Sequence, residues 1–440
     1  MTSTNDLIDL FDAEERAAPD PAARALRRRR VRRTLIIVTV VVLVIAASIA
    51  GYVTWALHAP LPAPTASSRT LEGTAGAPVS IDRPGEGATA ALVIGAPDYL
   101  GADGLRLTAG PDEPQPIASL SKIITALVVL DAHPLADAAD PGPTITFGKA
   151  DHDLYDAYYV QDAAVAEMPT GSSMSLHDAL ATMLIPSASN YADAVSTWAF
   201  GSRGAFLAAT RDFLSREGLS GTTIVEPTGL DDRNTSTPRD LLRIAQLAAA
   251  DPTISAIAGT ERMTLPGPGE LLNTNTLLGQ DGITGLKTGN LGQGTFALLF
   301  TASLDVGAGE PLSIVGATLG GTTREAQDAA VLRLLGSIRG GFHTVALVEA
   351  GMVVGSYKTA WGGSAQLVVA DAAAIRTWSD TPIAVSTELT NPTEYRDGER
   401  VGTVTWTAGA ASTTAALRVR GAIEPPTDWW RLTHPDPLGR

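Results

Sequence analysis

Twenty-four consecutive residues, Thr34–Leu57 ("TLIIVTVVVLVIAASIAGYVTWAL"), carry no charge. A chain with such a run must bury it whole or give it to a membrane. As a helix it extends about 36 Å at 1.5 Å per residue, enough to cross a hydrocarbon core of about 30 Å. Just before it, "RALRRRRVRR" (24–33) holds seven arginines, and no arginine follows until Arg69. That asymmetry places the N-terminus in the cytosol and everything beyond Leu57 outside, with the arginines also suited to anionic lipid. A cleaved secretory signal is the alternative. The run is long for one, and no small-x-small cleavage site follows it, so an uncleaved single-pass anchor is expected.

The remainder is large enough for two domains: the chain has 440 residues, 45% of them hydrophobic. It contains no cysteine, which excludes disulfides, cysteine-ligated zinc, iron–sulfur clusters and a thiol nucleophile. Its net charge is −15, and the first 33 residues, with eight Arg against six Asp and Glu, contribute +2, leaving −17 for the rest. Nucleic acid is therefore not an expected partner of the exterior part.

Composition shifts divide the chain. Residues 1–33 read as a cytosolic, disordered, Arg-rich tail, 34–57 as the membrane helix, and the Pro/Ala/Ser/Thr-rich 58–78 as a linker lifting the folded part off the membrane. Over 79–342 short apolar runs mark strands, "AALVIGA" near the start and "TFALLFTASL" and "LSIVGATLG" near the end, the last two forming a hairpin. Helical patterns lie between them, and a final amphipathic helix follows at 323–338 with Val331, Leu334, Leu335 and Ile338 on one face. The expected fold is α+β, an antiparallel sheet whose terminal segments meet, plus a helical subdomain. From 343 to 440 short alternating runs separated by turns predict a small β-rich domain, against which Trp429 and Trp430 of the tail "EPPTDWWRLTHP" should pack.

Four lysines, Lys122, Lys149, Lys287 and Lys358, stand against 28 arginines. A lysine kept against that bias is a candidate for what arginine cannot do, namely lose its proton when desolvated and act as a base. In "PIASLSKIITALVVL", Ser119 and Lys122 are three residues apart at the start of an apolar helix and so share a face, giving a nucleophile beside a base without histidine. Taken alone, S-x-x-K fits an N-capping serine with a snorkelling lysine better. In "GITGLKTGNLGQG", a strand followed by a turn presents Lys287 and Thr288, and Gly289 leaves the backbone open to an extended peptide and its carboxylate; a hairpin with an exposed lysine is the competing reading. "IPSASN" sets Ser187, Ser189 and Asn190 in an apolar stretch where buried polar groups need partners or a ligand. The six histidines show no metal-ligand spacing, "DHD" at 151–153 reads as a solvated turn, and the chain has no G-x-S-x-G, P-loop or dinucleotide fingerprint.

S-x-x-K, then S-x-S-N, then K-T-G, spaced by 68 and 100 residues, resembles the serine-type D-alanyl-D-alanine carboxypeptidases. These are low-molecular-mass penicillin-binding proteins that share a fold with the serine β-lactamases. "EPTGLDDRNTSTPRDLLRIAQ", "NTNTLLGQDGITGLKTG" and "LGGTTREAQDA" extend the likeness over about 80–345. The resemblance implies a β-lactamase/DD-peptidase-like catalytic domain that needs no metal or cofactor, takes a peptidoglycan stem peptide ending in D-Ala-D-Ala, and is acylated by β-lactams. It implies Ser119 as nucleophile, Lys122 as base and Ser187 as proton relay. Lys287, Thr288 and Gly289 would hold substrate, Arg324 its carboxylate, and the N–H groups of Ser119 and Asn290 the oxyanion.

Two departures stand out. The family's second motif is S-x-N, but the third place here is Ser189, with Asn190 one later, so either could serve as the substrate-binding polar group. The family threonine two places after K-T-G is Leu291. A D,D-endopeptidase would use the same residues, a β-lactamase lacks its Glu-x-x-x-Asn-like segment here, and a degenerate wall-peptide-binding member is the non-enzymatic alternative.

Overall fold

The computed structural model describes residues 21–439. Residues 1–20 of the expected disordered tail lie outside the described residues. From Pro21 the chain is one helix, α1 (Pro21–His58), so the arginine run is helical rather than disordered. Arginine is a good helix former, and nothing between Pro21 and the apolar run breaks the ladder. By length and composition α1 suffices to cross a membrane.

The linker is also structured. Residues Thr65–Ser68 form strand β1, which pairs antiparallel with residues 355–358 of a C-terminal strand. Gly355 makes the approach possible, since a Cβ there would lie 2.2 Å from the Ser67 carbonyl oxygen. Composition alone suggested a free tether. An open sheet edge accepts almost any extended segment, which composition does not record.

The sheet of residues 79–342 joins the two ends of its segment. Strands β2 (Ala88–Ile94) and β3 (Leu105–Ala109) come from the start, and β4 (Ile283–Gly289), β5 (Phe296–Leu304) and β6 (Leu312–Gly321) from the end. The antiparallel order is β4-β5-β6-β2-β3. Helix Arg324–Gly340 lies against it, burying Val331, Leu334, Leu335 and Ile338 with Leu298 and Phe300. The helices collect in a separate core around Ser121–Ala132, in which every residue from Ser121 to Leu130 is buried. A helix apolar on all sides must sit inside, and this one carries Lys122 there.

Beyond Phe342 five strands, with β1 at their edge, form a six-stranded antiparallel sheet, which with a two-stranded partner encloses a third core around Val401, Val404 and Trp406. The tail differs from expectation. Trp430 packs edge-to-face on Trp361 of the β-rich part, but Trp429 is 74% exposed, and the short helix Asp428–Thr433 lies against the end of α1. "DHD" is not a turn either: it lies in helix Lys149–Tyr159, where Asp151 accepts from the Gly148 N–H at 2.7 Å, an N-terminal closure that stabilises the helix.

Candidate active site

Ser119 occupies a single 3₁₀ turn, Ala118–Leu120, entered through Ala118 at φ +49° and leading straight into helix Ser121–Ala132. Its hydroxyl caps nothing. Instead it accepts a hydrogen bond from Lys122 Nζ at 3.0 Å, and Nζ also donates to the Thr228 carbonyl at 2.7 Å. Lys122 has no exposed surface, and burial pushes its pKa down to about 7, with the Glu226 carboxylate pulling the other way. The ammonium thus loses its proton near neutrality, as a base beside a hydroxyl requires.

The Thr228 carbonyl belongs to a loop to which the sequence reading assigned no role. Glu226 folds this loop onto its own carboxylate, which accepts from the N–H groups of Thr228 and Gly229, each at 2.6 Å, and from Asn234 Nδ2 at 2.9 Å. Asn234 Nδ2 also reaches Ser121 Oγ at 3.0 Å, tying the loop to the first turn after Ser119. Gly229, at φ +86°, lies so close beneath Ala118 that a Cβ would stand 1.9 Å from its carbonyl oxygen. The available signal was a glycine and an asparagine in "EPTGLDDRN", punctuation that any turn could supply.

In "IPSASN" the two candidates separate. Asn190 has no exposed surface, and its side-chain amide is spent on residue 166: Nδ2 donates to the Ala166 carbonyl at 2.8 Å and Oδ1 accepts from its N–H at 3.1 Å. Asn190 is therefore a strap holding the 164–167 segment, as is the Ser189 N–H on the Ala164 carbonyl at 2.7 Å. This corrects the expectation that Asn190 could contact substrate. Ser187 is buried at φ +67°, and among the described residues neither its hydroxyl nor that of Ser189 has a hydrogen-bond partner.

The third motif lies at the sheet edge. Lys287 and Thr288 are buried, not exposed on a hairpin. Both reach one residue the sequence reading passed over, Thr274: Thr288 Oγ1 and Thr274 Oγ1 are 2.7 Å apart, and Lys287 Nζ is 3.4 Å from Thr274 Oγ1 and 3.1 Å from the Thr288 carbonyl. The Thr274 N–H donates to Ile185 at 3.2 Å, joining this cluster to the segment two residues before Ser187. Burial pushes the Lys287 pKa well below its ordinary value, and the neighbouring charges of Lys122 and Arg324 push it further. Gly289 faces Ser119: a Cβ there would sit 3.0 Å from the Ser119 nitrogen. Among the described residues that N–H has no hydrogen-bond partner, leaving it free for a developing oxyanion. Asn290 follows at the exposed strand end. Arg324 opens its helix with its guanidinium 5.7 Å from the Phe296 ring centroid, and its buried Nη1 has no partner. Such an orphaned cationic donor suits an incoming anion.

Residues 107–309 match the family model described as D-alanyl-D-alanine carboxypeptidase. The chain is 30% identical over 155 residues to a D-alanyl-D-alanine endopeptidase of Pseudomonas aeruginosa, covering 35% of this chain and 46% of the relative. It is 31% identical over 176 residues to a D-alanyl-D-alanine endopeptidase of Escherichia coli, covering 39% and 53%. It thus spans about half the length of the curated relatives it matches. Among solved structures, penicillin binding protein 5 from Haemophilus influenzae superposes with a TM-score of 0.50 at 20% identity, covering 80% of this chain and all of that one. That likeness concerns the fold, and it agrees with the α+β architecture expected from the sequence.

Proposed function

We propose that this chain, whose residues 107–309 match the family model described as D-alanyl-D-alanine carboxypeptidase, removes the terminal D-Ala from peptidoglycan stem peptides through an acyl-enzyme. Ser119 Oγ bonds to the carbonyl carbon of the penultimate D-Ala while neutral Lys122 takes the hydroxyl proton. The C–N bond to the terminal D-Ala breaks, and its amine receives a proton through Ser187. Water then cleaves the ester and restores the serine. The N–H groups of Ser119 and Asn290 stabilise the oxyanion, and Lys287, Thr288 and Arg324 hold the terminal carboxylate. Ser189, the third residue of the second motif, has an unpartnered hydroxyl for the substrate backbone. A β-lactam would acylate the same serine as its ring C–N bond opens.

The observation that carries this reading is the 3.0 Å contact between Ser119 Oγ and a lysine whose pKa lies about 7. A fluorescent penicillin tests it on the full chain: covalent label on the parent and none on Ser119→Ala is the expected pair. No label on the parent, or label surviving the substitution, defeats the mechanism, and no label on the parent favours a non-catalytic wall-peptide binder.

Cross-link cleavage is the second reading, favoured by the endopeptidase names of both curated relatives. Mass analysis separates the two: loss of one D-Ala from a pentapeptide supports the first, and scission of a cross-linked dimer the second. We place the catalytic part (79–342) and the β-rich part (343–440) outside the cell membrane, with α1 spanning it and the N-terminus in the cytosol. The arginine asymmetry and the length of the uncharged run support that topology.

A further inference from the structure

The C-terminal segment returns to the one part of the chain suited to lipid. Helix Asp428–Thr433 and the residues after it close over the last turns of α1. Arg431 Nη1 donates to the carbonyls of Ala59 at 2.9 Å and Ala56 at 3.3 Å. Carbonyls at a helix C-terminus lack partners within the helix, and a cation there also meets the negative end of its dipole. The Tyr52 hydroxyl donates to the Leu432 carbonyl at 2.6 Å, and the Gly439 N–H to Pro60 at 3.0 Å. Ala56, Ala59 and Leu438 form a small buried cluster of their own, with Trp430 and Leu432 packed on it. Trp430 in turn stacks on His434 and meets Trp361 of the β-rich part, whose Nε1 donates to the Glu424 carbonyl at 2.9 Å.

Depth follows from the length of α1. The uncharged run is about 36 Å long as a helix against a hydrocarbon core of about 30 Å, so with the arginines at the cytosolic headgroups its last turn emerges in the outer headgroup layer. Whatever is fastened to Tyr52–Ala59 lies at that depth. The large rings left open there are aromatic: Trp429 is 74% exposed, Trp55 46% and Tyr52 38%. Amphipathic rings of this kind concentrate at membrane–water interfaces. From His58 to β1 the chain has six residues, Ala59–Pro64, with a reach of about 20 Å.

We propose that residues 427–438 are a second membrane contact: they clamp the outer end of α1 through Arg431 and lay Trp429 in the headgroup layer beside Trp55 and Tyr52, fixing the height of the ectodomain above the bilayer. This rests on the reading of α1 as an uncleaved anchor. It replaces a loose tether with a rigid mount, so the active site works at one distance from the membrane.

The chain's lack of cysteine makes single-cysteine nitroxide labelling clean. Labels are placed by Val44→Cys in the middle of the apolar run, Trp429→Cys in the tail and Asp103→Cys in the catalytic part, in the full chain reconstituted into phosphatidylethanolamine/phosphatidylglycerol vesicles. Accessibility to oxygen, which enriches in lipid, and to a water-soluble nickel chelate then reports depth. The expected result is position 44 in hydrocarbon, 103 in water, and 429 at headgroup depth with nickel accessibility several-fold below that at 103. Adding Arg431→Gln should raise the 429 value toward that at 103. If 44 lies in lipid but 429 is as open to nickel as 103, the inference fails while the anchor stands. A 429 label shut off from both reagents would mean burial against protein, and would overturn it equally. A 429 depth indifferent to Arg431→Gln would overturn the clamp, and water at position 44 would remove both the anchor and the inference.

Discussion

Gly289→Ala is a test of the oxyanion site that leaves every polar side chain in place. The new Cβ would sit 3.0 Å from the Ser119 nitrogen, 3.1 Å from Ala118 Cβ and 3.1 Å from the Ile117 carbonyl oxygen. The backbone at 289 is outside the left-handed region, so alanine adds no conformational strain of its own. The methyl and its neighbours must move apart by a few tenths of an ångström, at a packing cost of about 1–3 kcal/mol. Its effect on chemistry is larger, because it occupies the approach to the Ser119 N–H, which among the described residues has no hydrogen-bond partner. Removing a single oxyanion donor costs about 10²–10³ in rate, or roughly 3 kcal/mol of transition-state stabilisation. The variant should therefore melt a few degrees lower while the second-order rate of acylation by a fluorescent penicillin falls about a hundredfold or more. Acylation within about threefold of the parent, in a folded variant, would show that the Ser119 N–H does not face the reacting carbonyl and would refute the site geometry.

Three further outcomes are expected. Because only neutral Lys122 can take the Ser119 proton, acylation should rise with pH through an apparent pKa near 7, and Lys122→Arg should lose about 10²–10⁴ in rate although the positive charge is kept, measured by stopped-flow labelling across pH. A substrate carboxylate beside Lys287 favours its charged form, so binding a D-Ala-D-Ala peptide to Ser119→Ala above the depressed pKa should take up protons, and Arg324→Ala should weaken that binding about tenfold or more; calorimetry in buffers of different ionisation enthalpy reads both, and proton release would contradict the assignment. Asn190→Ala strands the Ala166 N–H and carbonyl and should cost about 2–4 kcal/mol in denaturant unfolding, whereas Ser189→Asn should alter turnover with little change in stability.

Much of this molecule is legible where one local property decides the outcome. The helix through the uncharged run, the helix around Val331 and Ile338, and the hairpin over 295–320 each follow from pattern alone. What the pattern cannot supply is the identity of partners distant in sequence. Asn190 looks like a displaced family asparagine until Ala166, 24 residues earlier, takes both ends of its amide. Thr274 has no local mark, and its importance lies in touching Lys287 and Thr288 while bonding back to Ile185. The pairing of residues 65–68 and the docking of the tail on the end of α1 escape the pattern for the same reason. A sheet edge and a helix end offer unpaired backbone groups, and those groups bind whichever segment the rest of the fold delivers.

The lysine bias divides along the same line. Lys149 makes a surface ion pair with Asp153 on its own helix, work an arginine does as well, and Lys358 lies at the exposed end of the strand that receives β1. Neither repays the inference that a retained lysine has special chemistry. Lys122 and Lys287 do, and for two different reasons. Lys122 has a carboxylate in reach, Glu226, yet burial still brings its pKa to about 7, the value for a base that must be neutral at work. Burial destabilises the protonated form of Lys287, and the like charges of Lys122 and Arg324 add to that until an anion arrives. On the proposed reaction one buried ammonium gives up its proton and the other awaits a counter-charge, and a substrate with a carboxylate one residue beyond the scissile bond would meet both needs in a single pose.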